Sequence, residues 1–132
     1  MWYAGAFAGC EKSVMTRLTL RIDFDDNRAL GPGKVRLLEL IRETGSISAA
    51  GRAMDMSYRR AWLLVDALNQ TFHMPVVTAR RGGAGGSGAT LTPFGADVVA
   101  SYRAMERDAR GVLASHLSNL ENALATIPTC PS

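Results

Sequence analysis

The sequence is poor in the residues that build metal sites and catalytic nucleophiles. Its two cysteines, Cys10 and Cys130, sit near opposite ends, and its two histidines, His73 and His116, stand alone. No CxxC, CxxH or HExxH spacing occurs, so structural zinc is not expected. The cysteines are taken as reduced thiols, with a Cys10 to Cys130 disulfide as the lesser alternative. There is no run of about 18 uncharged apolar residues, which excludes a membrane-spanning helix. The apolar start, residues 1–9, lacks a basic flank and stops at Glu11 and Lys12. It is too short for a secretory signal, and the expected location is cytoplasmic. Asp25 and Asp26 adjoin in a turn rather than facing each other across a site, and no nucleophile–base arrangement can be argued. The glycine-rich stretch of residues 82–88 lacks a following Gly-Lys-Ser/Thr, so it is not a P-loop. The chain is not expected to be an enzyme.

What is present is enough for one domain with an appended element. The 132 residues are 47% hydrophobic and 20% charged, a balance that allows a core without staples. The net charge of +3 says little, but its distribution says more. Residues 1–33 are neutral overall, residues 34–81 carry eight basic against four acidic side chains, and residues 82–132 carry three against four. Thirteen of the 15 basic residues are arginine, which favours phosphate recognition over generic solubility.

Residues 18–24 alternate apolar and polar, as a half-buried strand does. Asp25, Asp26 and Asn27 form a turn, and Gly31, Pro32 and Gly33 break the chain again. Residues 34–44 are predicted helical, with Val35, Leu37, Leu38, Leu40 and Ile41 facing inward and Gly45 as the stop. Ser46 or Ser48 caps the next helix, which has Ile47, Ala50 and Met54 on its apolar side. After a turn at Asp55 and Met56, Ser57 caps a third helix from Tyr58 to about Phe72. Its inward stripe is Ala61, Leu64, Val65, Leu68 and Phe72. Two serine-capped helices separated by about three residues are a helix-turn-helix signal. The second of them opens with Tyr58, Arg59 and Arg60. Cations at a helix N-terminus oppose the macrodipole, so an anionic partner explains the placement better than stability does.

Residues 76–80 and 89–92 are predicted as the strands of a hairpin with a glycine-rich tip, a wing placed directly after the recognition-type helix. Thr92 caps the final helix, with Pro93 in its first turn. Val98, Tyr102, Met105, Ala109 and Val112 recur at helical spacing, and the seam then moves to Leu113, Leu117, Leu120 and Leu124. A helix to about Ala125 is roughly 45 Å long at 1.5 Å per residue, longer than so small a domain covers. A second copy is the expected partner for its far half. The predicted architecture is mainly α: an N-terminal arm (1–17), a winged helix-turn-helix (18–92), a dimerisation helix (93–127) bent at Gly111, and a tail (128–132).

The stretches Gly31-Pro32-Gly33-Lys34, Glu43-Thr44-Gly45-Ser46-Ile47-Ser48-Ala49-Ala50, Met56-Ser57-Tyr58-Arg59-Arg60-Ala61-Trp62 and residues 82–92 resemble the N-terminal winged helix-turn-helix domain of ModE-type molybdate-responsive transcription regulators. More distantly they resemble the LysR-type DNA-binding module. The resemblance covers residues 18–125. It implies a homodimeric regulator, linked to molybdenum or oxyanion metabolism, that docks its third helix in the major groove of an inverted-repeat site and lays the wing beside it. ModE-type proteins carry C-terminal oxyanion-binding domains. This sequence ends at Ser132, just past the linker helix, so a stand-alone form is expected. No cofactor is assigned, and a full-length ModE-type relative is a candidate partner.

The expected DNA-binding residues are Ser57, Tyr58, Arg59, Arg60, Arg80, Arg81 and Lys34, with Gly82, Gly83, Gly85, Gly86 and Gly88 forming the wing. Tyr58 is either a DNA contact or a packing residue of the cap, and Lys34 either a phosphate contact or a solvated lysine. Trp62 is expected to be partly buried structure, His73 exposed structure and His116 interface packing. The expected dimerisation residues are Val98, Tyr102, Met105, Val112, Leu113, Leu117, Leu120 and Leu124. Two other functions compete. One is direct molybdate or tungstate sensing, at the glycine loop or a dimer-interface pocket. The other is a winged helix that binds protein through an exposed apolar recognition surface.

Overall fold

A computed structural model of the chain describes residues 16–81 and 87–125, with side chains for all of these except Arg81 and Ser87. Most of the expected arm, the tail, Cys10, Cys130 and the wing glycines Gly82, Gly83, Gly85 and Gly86 lie outside the described residues. In chain order the elements are β1 (Ile22–Asp23), β2 (Ala29–Leu30), α1 (Pro32–Thr44), α2 (Ile47–Ala53), α3 (Tyr58–Thr71), β3 (Val77–Arg81), β4 (Ser87–Leu91), α4 (Pro93–Val112) and α5 (Ala114–Asn122). The described residues divide into two units, one spanning residues 19–107 and the other holding residues 108–125 with residues 16–18.

The first unit is mainly α, a winged helix-turn-helix with two small antiparallel hairpins. β1 pairs with β2 in the register Ile22 to Leu30. The strand expected over residues 18–24 is thus reduced to two residues. The turn after it explains why: Asp25 Oδ1 accepts the amides of Asn27 (3.0 Å) and Arg28 (2.8 Å), ending the ladder. The Arg28 guanidinium, with these amides second, lowers the Asp25 carboxyl to a pKa of about 2. α1 buries the five predicted residues, each of the larger ones stabilising the fold by about 1.5–3 kcal/mol. It stops at Gly45, whose φ of 73° is left-handed and whose amide reaches the Ile41 carbonyl at 2.7 Å. That conformation costs a glycine little and a side chain more.

The cap of α2 is Ser46, whose Oγ accepts the Ala49 amide at 3.0 Å. Ser48 instead accepts from Arg52 Nη1. The α2–α3 turn closes with Asp55 at φ 62° and the Met56 amide on the Gly51 carbonyl. Gly51 sets how closely the two helices cross, since a Cβ there would lie 3.0 Å from that of Ala61. Ser57 Oγ accepts the Arg60 amide at 3.1 Å and starts α3. Ala61, Val65 and Leu68 are buried, with Leu64 and Phe72 packed on the same core.

Three devices fasten the remaining elements to that core. Asn69 on α3 accepts the amides of Val76 (2.8 Å) and Val77 (3.2 Å) and donates to the Val77 carbonyl (3.0 Å), which fixes where the wing begins. Thr92 caps α4 by accepting the Gly95 amide at 2.9 Å. Gly95 lies against the Val76 backbone so closely that no Cβ fits. Arg103 on α4 holds Glu39 of α1 with two bonds of 2.9 Å and also reaches Glu106 at 2.7 Å. The Arg103 guanidinium holds the Glu39 carboxyl below its ordinary range.

Two expectations about the final helix are corrected. Val98 and Tyr102 do not face a partner: both are buried in the core of their own unit, and the Tyr102 hydroxyl donates to the Leu20 carbonyl at 2.6 Å. Nor is the helix a single rod to Ala125. It is interrupted at Leu113, where φ and ψ are −91° and 4°, two residues after Gly111. In the second unit the i to i−4 bonds from Leu113 to Ala109 and from Leu117 to Leu113 are nonetheless kept, both at 2.9 Å. Val112, Leu120 and Leu124 are exposed, and Leu113 and Leu117 are partly so.

Candidate nucleic-acid interface

The first turn of α3 is an exposed cationic part of the helix-turn-helix. Ser57 spends its side chain on the cap, which leaves the following residues free to project outward. Tyr58 is 57% exposed, and Arg59 and Arg60 are exposed beside it. Neither arginine forms an ion pair among the described residues. A fold that placed them for its own stability would pair them or move them toward the C-terminus of the helix.

Trp62, expected to be partly buried, is 45% exposed, with Leu63 at 47%. Its place one turn after Tyr58 puts both aromatic rings on one outward face. The signal that was available is the stripe itself: positions 61, 65 and 68 fix the inward face, and position 62 lies about 100° away from it.

The wing bears on the helix-turn-helix through its base. Arg80 is paired with Gly88 across the hairpin. The Arg80 Nη2 donates to the Gly45 carbonyl at 3.4 Å, and that carbonyl also accepts the Ala89 amide at 2.9 Å. Arg80 therefore covers the C-terminal end of α1, where a cation is favoured, while remaining exposed. Gly88 belongs to strand β4 rather than to the wing tip, and a Cβ on it would lie 2.7 Å from the Gly45 oxygen. The side chain of Arg81 lies outside the described residues.

Lys34 is neither fully solvated nor solely a surface cation. It is partly buried, its ammonium donates to the Ala29 carbonyl at 3.0 Å, and burial together with the nearby Arg21 lowers its pKa. The site thus consists of the α3 first turn, the wing base and the start of α1, all within the first unit.

This arrangement defines a winged helix-turn-helix domain. Residues 33–96 match the family described as bacterial regulatory helix-turn-helix protein, lysR family. The chain is 45% identical over 91 residues to the molybdenum-pterin-binding protein MopB of Rhodobacter capsulatus, covering 69% of this chain and 34% of that protein. It is 37% identical over 94 residues to the molybdenum transport protein ModE of Azotobacter vinelandii, covering 71% and 35%. It is 35% identical over 89 residues to the DNA-binding transcriptional dual regulator ModE of Escherichia coli K12, covering 67% and 34%. The chain carries a ModE-type N-terminal helix-turn-helix domain. It spans about a third of the length of the curated relatives it matches.

Proposed function

We propose that the chain is a sequence-specific DNA-binding transcription regulator, not an enzyme, and that it acts in the cytoplasm as a homodimer on an inverted-repeat site linked to molybdenum metabolism. The observation that carries this reading is Arg59 and Arg60, exposed and without an ion pair among the described residues, on the leading turn of a serine-capped third helix. In such folds that turn enters the major groove. Tyr58, Arg59 and Arg60 read base edges, an arginine bidentate to guanine contributing about 1–3 kcal/mol of discrimination. Trp62 lies against the same groove wall, and Ser57 orients the turn. Lys34, Arg80 and Arg81 contact phosphates, with the wing glycines allowing backbone amides to come close. Met105, Val112, Leu113, Leu117, Leu120 and Leu124 form the dimer seam, and a full-length ModE-type relative is a possible heterologous partner.

The exposed Trp62 and Leu63 favour one other reading, a winged helix that binds protein through this face. The adjoining arginine pair weighs against it, since an apolar protein contact gains nothing from two unpaired cations. Fluorescence anisotropy separates the two, using random duplex and DNA from upstream of the gene at about 50–200 mM salt. A regulator binds one fragment preferentially with a steep salt slope. The doubly substituted Arg59→Ala/Arg60→Ala chain then loses the preference, at about 1–3 kcal/mol of discrimination for each arginine. Unchanged affinity and slope in that variant refute the DNA reading.

A further inference from the structure

A cavity of about 370 Å³ opens where the segment before β1, the strand β2, the start of α1 and the α2–α3 turn meet the leading turn of α3. Arg21 just before β1, Lys34 on α1 and Arg60 on α3 line it, and among the described residues no acidic side chain does. Its remaining wall includes Met54, Met56 and Leu64. Converging like charges in a concavity works against the fold: burial and the charge of Arg21 both lower the Lys34 pKa. Arg21 Nε is held by Asp23 at 2.9 Å, both side chains being more than 60% exposed. An ion pair so open to water offsets little of the convergence.

The shape and chemistry are mixed. At about 370 Å³ the groove is larger than a bare tetrahedral oxyanion fills. An apolar wall beside three cations suits a sugar carrying a phosphate. The position matters as well, because Arg60 belongs both to this cavity and to the turn proposed to read bases.

We propose that this groove seats one phosphate group, a sugar–phosphate unit of the DNA backbone in the complex, with Arg21 and Lys34 as its contacts and Arg60 bridging it to the base-reading turn. The inference rests on the DNA-binding reading above and adds Arg21, on β1's approach, to the interface. It also gives Lys34 a role that depends on its burial: the Ala29 bond aims the ammonium and leaves two of its protons for a ligand.

The test uses the full chain, random duplex DNA and anisotropy titrations across a salt series. Arg21→Gln and Lys34→Gln each remove one groove cation, and Arg107→Gln removes one exposed cation on α4 as the matched control. The expected result is a fall in salt slope of about 0.9 for each groove variant and none for the control. Carried to 0.1 M salt from a 1 M reference, that slope change is roughly an eightfold loss of affinity. Equal slopes in all three variants and the parent overturn the proposal, as does an equal loss in the control, which marks net charge as the cause. Circular dichroism melting verifies that each variant is folded. If the parent itself fails to bind duplex, inorganic phosphate is titrated while the amide signals of Gly33 and Lys34 are followed by NMR. Saturable shifts that vanish in Lys34→Gln uphold the phosphate groove with a free anion as its source, although the DNA reading fails. An absence of shifts there overturns the groove as well.

Discussion

Gly88→Ala puts the junction between wing and helix-turn-helix under direct strain. The added methyl would stand 2.6 Å from Arg80 Nη2 and 2.7 Å from the Gly45 carbonyl oxygen. The arginine can swing aside, but the carbonyl cannot. It ends α1 in a left-handed conformation and is already bound to the Ala89 amide. β4 must therefore lift away, which breaks that bond and leaves the amide of Ala89, a 4% exposed residue, without a partner. Losing the bond and stranding the amide costs about 1–3 kcal/mol. Reduced freedom of the unfolded chain returns about 0.4–1 kcal/mol. The net expectation is a loss of about 1–2 kcal/mol, or roughly 3–10 °C in melting temperature for a chain of this size. Gly33→Ala is the matched control, since a Cβ there meets nothing within 4 Å, and it should be neutral or stabilising by up to about 1 kcal/mol. Urea denaturation followed by far-UV circular dichroism reads both. A Gly88→Ala midpoint equal to or above that of the parent refutes the reasoning, and so does a Gly33→Ala midpoint that falls as far.

Asn69→Ala removes the three bonds that fix the start of the wing, and should destabilise by about 2–4 kcal/mol with raised hydrogen exchange at Val76 and Val77. The Arg103 to Glu39 link should contribute about 1–2 kcal/mol, measured as the stability difference between the parent and Arg103→Ala. Because the folded Glu39 carboxyl lies below its ordinary value of 4.5, that difference is fully present above pH 4.5 and is lost as pH falls through the depressed value. A difference that persists unchanged to pH 2 contradicts the assignment. Replacing Leu117 and Leu120 together with glutamate should convert a dimer to a monomer in light scattering after size exclusion, without shifting the melting of the first unit.

Much of the helix-turn-helix was legible because its determinants are local. Serine caps at 46 and 57, the left-handed stop at Gly45 and the inward stripes of α1 and α3 depend on spacing along one helix, which a sequence displays. Strand length was not legible: the alternation at residues 18–24 continues past the point where Asp25 takes the amides that a ladder would need. The role of the α4 seam was misread for a related reason. Val98 and Tyr102 have the same periodicity as Met105 and Val112, and periodicity shows that a face is apolar without showing what covers it.

Residue pattern alone thus determined the order of elements, the caps, the inward faces and the concentration of arginine in the middle third, since each follows from backbone propensities and helical period. Only the tertiary structure decided which cations converge. Arg21, Lys34 and Arg60 are apart in sequence and line one groove because the segment before β1 packs with α1 and α3. Arg80 settles on the end of α1 because the hairpin folds back over Gly45. Packing sets distances between elements, and no local rule contains them.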